Sequence, residues 1–150
     1  DGFAGSAGET LLFLEKNLLP RVRERYDLGK DVRVLLGGYS LAGLFSLWSG
    51  YQTDAFDAIA AASPSVWFDG WVDYVRDRRP LTGTVYLSLG DREEKARNQT
   101  MSRVGDAIRT QADILREQDI TSILEWNNGG HFQDSGIRTA RGFLWCMENL

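Results

Sequence analysis

One cysteine, one histidine, three prolines and no long apolar run are what this 150-residue chain makes do with. The single Cys146 excludes an internal disulfide. Its neighbours Phe143, Leu144, Trp145 and Met147 make it a buried, inert thiol rather than a reactive one. With only one histidine besides, the usual zinc ligand sets cannot be assembled, and no metal or other cofactor is expected. No apolar stretch reaches the length that crosses a bilayer. No charged-then-apolar leader opens the chain, which starts at Asp1 rather than at a methionine; a cytoplasmic setting is expected. The net charge of −4 argues against nucleic acid or an anionic membrane as partner, because both are polyanions. Basic residues are scattered, and the small cluster Arg76, Arg78 and Arg79 beside Asp77 reads as a solvated helix end.

What is present is an alternation of helix and strand without repeats or linkers, consistent with one domain over residues 1–150. Thr10–Tyr26 carries Leu11, Leu14, Leu18 and Val22 at helical spacing, with Pro20 expected to kink or interrupt the helix. Val32–Leu36 reads as a buried strand, Leu41–Tyr51 as a buried helix, Phe56–Ala62 as a weak strand and Trp67–Asp77 as a short helix. Thr84–Leu89 is a strand. Asn98–Gln118 is a helix with Met101, Val104, Ile108 and Leu115 inward, and Ser122–Trp126 a strand. Ser135–Glu148 is a helix with Ile137, Ala140, Leu144 and Met147 inward. About four strands alternating with helices predict a parallel sheet, whose active site belongs at the carboxyl ends of its strands.

Gly37-Gly38-Tyr39-Ser40-Leu41-Ala42-Gly43 lies between a predicted strand and a predicted helix. A nucleophile elbow needs that context: the serine sits on a tight turn so that its hydroxyl projects, and small residues two before and two after let strand and helix pack closely. Gly38 and Ala42 meet the need, with Ala42 in place of the usual glycine. The Leu41 backbone N–H, at the helix N-terminus, is the candidate oxyanion donor. A glycine-rich turn needing only backbone freedom is the alternative; the strand–turn–helix context outweighs it. His131 follows the last predicted strand in Gly129-Gly130-His131-Phe132, where a base partnering Ser40 belongs in the chain order Ser, acid, His. Alone it would read as a surface loop histidine, but two strand ends agree. The acid should follow the Thr84–Leu89 strand, in Gly90-Asp91-Arg92-Glu93-Glu94-Lys95. Chemistry leaves Asp91 and Glu93 even as the group that orients the imidazole.

Several segments together resemble an esterase family that includes enterochelin (siderophore trilactone) esterases, S-formylglutathione hydrolase and feruloyl esterase domains. They are Phe13-Leu14-Glu15-Lys16-Asn17-Leu18-Leu19-Pro20, the Gly38–Gly43 elbow, Ser63-Pro64-Ser65-Val66-Trp67-Phe68, Gly90-Asp91-Arg92-Glu93 and Gly130-His131. The resemblance spans essentially the whole chain. It implies the C-terminal part of an α/β-hydrolase fold and places the acid on Glu93, with Asp91 as the alternative. Members of the family carry further strands and a loop ahead of the Thr10 helix, the loop giving a second oxyanion N–H. Those strands are therefore expected to be missing at the N-terminus. The edge of the Val32 strand is expected to be open to a second copy or to a separate N-terminal segment.

Tyr39, Trp67 and Phe68, with Trp71 as a weaker candidate, could line a substrate pocket, although core packing is the simpler reading for each. The function expected is a serine hydrolase cleaving a small-molecule carboxylic ester through an acyl-enzyme: Ser40 attacks, His131 moves the proton and Glu93 orients His131. The alternatives are an acyltransferase on the same three residues and a non-catalytic esterase-like domain.

Overall fold

The structure is a computed structural model that describes residues 5–95 and 98–150. The chain divides into two compact units, with the boundary between Val34 and Leu35.

The first unit is helical. Helix α1 (Ala7–Phe13) runs through a π-helical stretch, Leu14–Leu18, into α2 (Leu19–Arg25). Pro20 has no N–H to give to the carbonyl four residues back. The interruption expected of it takes the form of a wider π-helical stretch that ends two residues before it. The extra residue in that turn rotates the stripe: Leu11 is buried, Leu19 half-buried, and Leu18 is 42% exposed, against the expectation that it faces inward. The Arg23 guanidinium donates to the carbonyls of Gly29 and Val32 and closes the turn after α2.

The second unit is a parallel sheet of four strands in the order β1 (Leu35–Tyr39), β2 (Ala58–Ala62), β3 (Thr84–Gly90), β4 (Thr121–Asn127). Between them run α3 (Leu41–Gly50), α4 (Trp71–Arg76), α5 (Gln99–Ser102) and α6 (Val104–Glu117); α7 (Ser135–Glu148) follows β4. Every residue of β2 and β3 is buried, as expected of parallel strands covered on both faces. Ala58, Ala60 and Tyr86 pack with Cys146, Leu35, Phe143 and Trp145 on the α7 side. Ile59 lies against Gly50 of α3 on the other. The small side chains of β2 let both helices approach. Burial pushes the Cys146 thiol up to about 11, in keeping with an inert core residue.

Three elements differ markedly in extent from the sequence reading, and a fourth buries a different face. Strand β1 covers Leu35–Tyr39 rather than Val32–Leu36. Its two glycines, read as turn, are ladder residues lying against Ala60 and Ala42, whose atoms leave no room for a side chain. Helix α4 starts at Trp71, after Gly70 in the left-handed region (φ +79°), so Trp67 and Phe68 sit in a turn. The long helix over 98–118 is broken at Arg103 into α5 and α6. The break takes Met101 off the inward face, on which Val104, Ile108 and Leu115 are buried. Helix α7 presents a different face from the one expected. Ile137, Leu144 and Met147 are 57%, 55% and 66% exposed and Ala140 is exposed, while Arg138, Gly142 and Cys146 are buried. An arginine and a glycine do not register as an apolar stripe, yet Gly142 is what lets the helix lie on Tyr86 and Ala60. Among the described residues, no helix is long and apolar enough to cross a membrane.

Candidate active site

The site is built at the carboxyl ends of β1 to β4, from four turns that the sheet brings side by side. Ser40 follows β1 and caps α3 at φ +60°, ψ −121°, a conformation that costs a non-glycine residue on the order of 1–3 kcal/mol. The surroundings hold it there. Its N–H donates to the Ala62 carbonyl at 3.1 Å, and its own carbonyl accepts from the N–H groups of Leu44 at 3.0 Å and Ser65 at 3.1 Å. Gly38 is indispensable to the turn, since a Cβ there would stand 2.6 Å from the Ala42 carbonyl carbon.

The Ser40 hydroxyl lies 2.9 Å from His131 Nε2, and His131 Nδ1 lies 2.7 Å from Glu93 Oε2. Glu93, in a 3₁₀ turn after β3, is buried. Its other oxygen, Oε1, accepts from the Ser63 hydroxyl and the Gly90 N–H, both at 2.8 Å, and from Arg138 Nη1 at 3.1 Å. Burial pushes the carboxyl pKa up, but the hydrogen bonds from His131, Ser63 and Gly90 outweigh it and hold the group below its ordinary value. Glu93 is therefore ionised and aimed at the imidazole.

Asp91 does not touch His131. Its Oδ1 accepts from the Gly129 N–H at 2.8 Å, and its own N–H donates to the Asn127 carbonyl at 2.8 Å. It thus clasps the loop that carries the histidine. Leu41 stands at the first position of α3, where an N–H has no intrahelical acceptor.

Of the pocket candidates, Trp67 lines a cavity of about 240 Å³ beside His131, together with Ser63, Pro64, Arg92, Met101 and Phe132. Phe132 is 95% exposed and stands edge-on to His131 at 5.2 Å. Phe68 does not reach this cavity and lines an open groove beside α4 and α6. The Tyr39 hydroxyl points under the histidine loop and donates to the His131 carbonyl at 2.6 Å. Trp71 is a core residue whose indole N–H donates to Gln111.

Three side chains that touch this cluster had no role in the sequence reading: Ser63, Ser65 and Arg138. Ser65 is buried, with its hydroxyl 3.4 Å from that of Ser40. The Ser63-Pro64-Ser65 run was the available signal, because it follows a strand end. Arg138 carried only a faint one, standing four and eight residues before the small Gly142 and Cys146 on a single helical stripe.

A parallel sheet with a serine on a strained strand-to-helix turn is α/β-hydrolase architecture, and that is the class of this fold. The "Putative esterase" family model matches residues 4–131, and the chain belongs to that family. Solved structures agree on the fold. The enterobactin esterase FES of Shigella flexneri, in the presence of 2,3-dihydroxy-N-benzoyl-glycine, superposes with a TM-score of 0.76 at 17% identity over 95% of this chain and 39% of its own. The siderophore hydrolase EstB of Aspergillus nidulans gives 0.73 at 22% identity, over 95% and 59%. An IroE-like serine hydrolase of Shewanella oneidensis gives 0.72 at 22%, over 92% and 46%. The present chain thus spans less than two thirds of the length of each. No curated protein matches it.

Proposed function

We propose that the protein is a serine esterase in which Ser40, His131 and Glu93 form the catalytic triad. The observation that carries this reading is the continuous chain from the Ser40 hydroxyl through both ring nitrogens of His131 to a buried, ionised Glu93. Neutral His131, its Nδ1–H held by Glu93, accepts the Ser40 proton at Nε2 as Ser40 Oγ bonds to the ester carbonyl carbon. The oxyanion that forms lies at the N-terminus of α3, where the Leu41 N–H donates to it. As the tetrahedral species collapses, the imidazolium returns its proton to the departing alcohol and leaves an acyl-enzyme on Ser40. Water, deprotonated by the same imidazole, then releases the acid.

The family match over residues 4–131 supports reading the chain as part of a single esterase domain. The cavity lined by Trp67, Met101, Phe132 and Arg92 supports a small-molecule ester whose apolar part lies beside His131. The printed names of the Shigella and Aspergillus neighbours support a siderophore-type ester as the first substrate to assay.

A fluorophosphonate probe tests the nucleophile. It is expected to label the chain at Ser40, and Ser40→Ala is expected to abolish labelling and to lower hydrolysis of a short activated ester by about 10³-fold or more. Labelling that survives the substitution would show that another residue is the nucleophile.

A further inference from the structure

Arg138 is fully buried on the inward face of α7, and a buried cation is costly unless it is paired and hydrogen-bonded. Its two terminal nitrogens divide their work. Nη1 lies 3.1 Å from Glu93 Oε1, 3.3 Å from the Tyr39 hydroxyl and 3.4 Å from the Ser63 hydroxyl. Nη2 donates to the Asn128 carbonyl at 2.9 Å. These four partners come from the end of β1, the turn after β2, the acid turn after β3 and the histidine loop after β4. Every turn that contributes to the site therefore meets one guanidinium. Tyr39 extends the reach: its hydroxyl accepts from Arg138 and donates to the His131 carbonyl.

We propose that Arg138 is the positioning residue of this site, tying Glu93 and the His131 loop to the Ser40 turn through one planar fork. The inference rests on the triad reading given above. Lysine carries the same charge but lacks the fork that reaches an acid, a hydroxyl and a carbonyl together, so charge and geometry separate by substitution.

The charge has its own consequence. The groups facing His131 are Glu93 at Nδ1, the Ser40 hydroxyl at Nε2, Tyr39 beneath its carbonyl, and Arg92, which lines the same cavity. Asp91 reaches the loop at the Gly129 N–H. Beyond Glu93 stands Arg138, which neutralises the carboxylate from the far side. Without Arg138 the carboxylate has less neutralising charge behind it, so an imidazolium at His131 would be paired with a more strongly negative partner.

The chain has one histidine, so its ring C–H signal can be followed by NMR against pH without assignment and without any turnover. Arg138→Met is expected to move that titration up by about one pH unit, while Arg138→Lys leaves it in place. Arg138→Lys is nevertheless expected to speed hydrogen exchange at residues 128–131 by about tenfold, because the fork is lost. A folded Arg138→Met protein that titrates like wild type overturns the proposal, as does an Arg138→Lys protein that titrates like Arg138→Met. Should Arg138→Met not fold, Arg138→Lys decides: faster exchange at 128–131 with unchanged titration supports the proposal, and wild-type exchange there overturns it. Fluorophosphonate labelling in parallel keeps the two readings apart. A chain that does not label but whose histidine responds as stated refutes the esterase and leaves the positioning residue.

Discussion

At the residue scale the two carboxylates after β3 have separate tasks, and the difference is measurable. Glu93 faces the imidazole and is held ionised, whereas Asp91 clasps the Gly129 N–H. Replacing Glu93 with Gln removes the charge that stabilises the imidazolium and lets an amide N–H face Nδ1, so the histidine tautomer is no longer fixed, and kcat for an activated ester is expected to fall by about 10²-fold or more. Asp91→Asn keeps an oxygen that can accept from Gly129 and is expected to cost far less. Comparison of the two kcat values checks this, and a larger loss in Asp91→Asn would move the acid by two residues. Ser40 and His131 could be located in the sequence because each stands at a strand end that the alternation of elements marks. Glu93 could not be separated from Asp91 by chemistry, since three carboxylates share one turn; the family-like spacing chose between them. Arg138 escaped because a lone arginine in a helix ordinarily faces solvent, and only the packed structure turns it inward.

At the scale of elements, the number of strands and their alternation with helices were legible, and the misjudged β1 and α7 share a cause. Glycine, arginine and serine stand where close packing or a polar cluster requires them, and an apolar pattern does not count them. Gly37 and Gly38 read as turn yet complete β1; Gly142 and Arg138 interrupt the apolar stripe of α7 yet define its buried face. Pro20 announced an interruption, but the one-residue rotation that the π stretch adds cannot be read from spacing. The junction of β1 and α3 is the element-level feature most sensitive to substitution. Adding a methyl at Gly38 drives it into Ala42 backbone atoms 2.6 to 2.7 Å away, and backbone cannot step aside as a flexible side chain can. Gly38→Ala is expected to destabilise the fold by about 1–3 kcal/mol. It should also displace Ser40 enough to lower probe labelling by about 10²-fold. Thermal unfolding and labelling rate measured on the same sample check both, and a variant that matches wild type in each would show that the elbow has slack the distances deny.

For the whole molecule, burial divides unequally along the chain. Among the described residues of the first unit only Leu11 is buried, whereas β2 and β3 are buried throughout. Local opening follows buried contact. Amides of Ala7–Arg25 are therefore expected to exchange on the order of 10²-fold or more faster than those of β2 and β3. Equal protection would mean that the helical unit opens only with the sheet. The turns at the carboxyl ends of the strands hold a buried polar cluster, and acid should find it. Glu93 has a carboxyl pKa below the ordinary value, so its contribution to stability is present above about 4.3, the unfolded value. That contribution is lost as pH falls through the lower folded value. Glu93→Gln removes this charge and leaves buried Arg138 without its carboxylate partner, so the variant should melt well below wild type near neutral pH. Once the wild-type carboxyl is itself protonated, the two proteins carry the same unpaired cation. The gap between their melting temperatures should therefore narrow as pH drops below about 4. Thermal scans of both proteins from pH 7 to pH 3 test this, and a constant gap would mean that Glu93 is held by its neutral contacts and not by its charge.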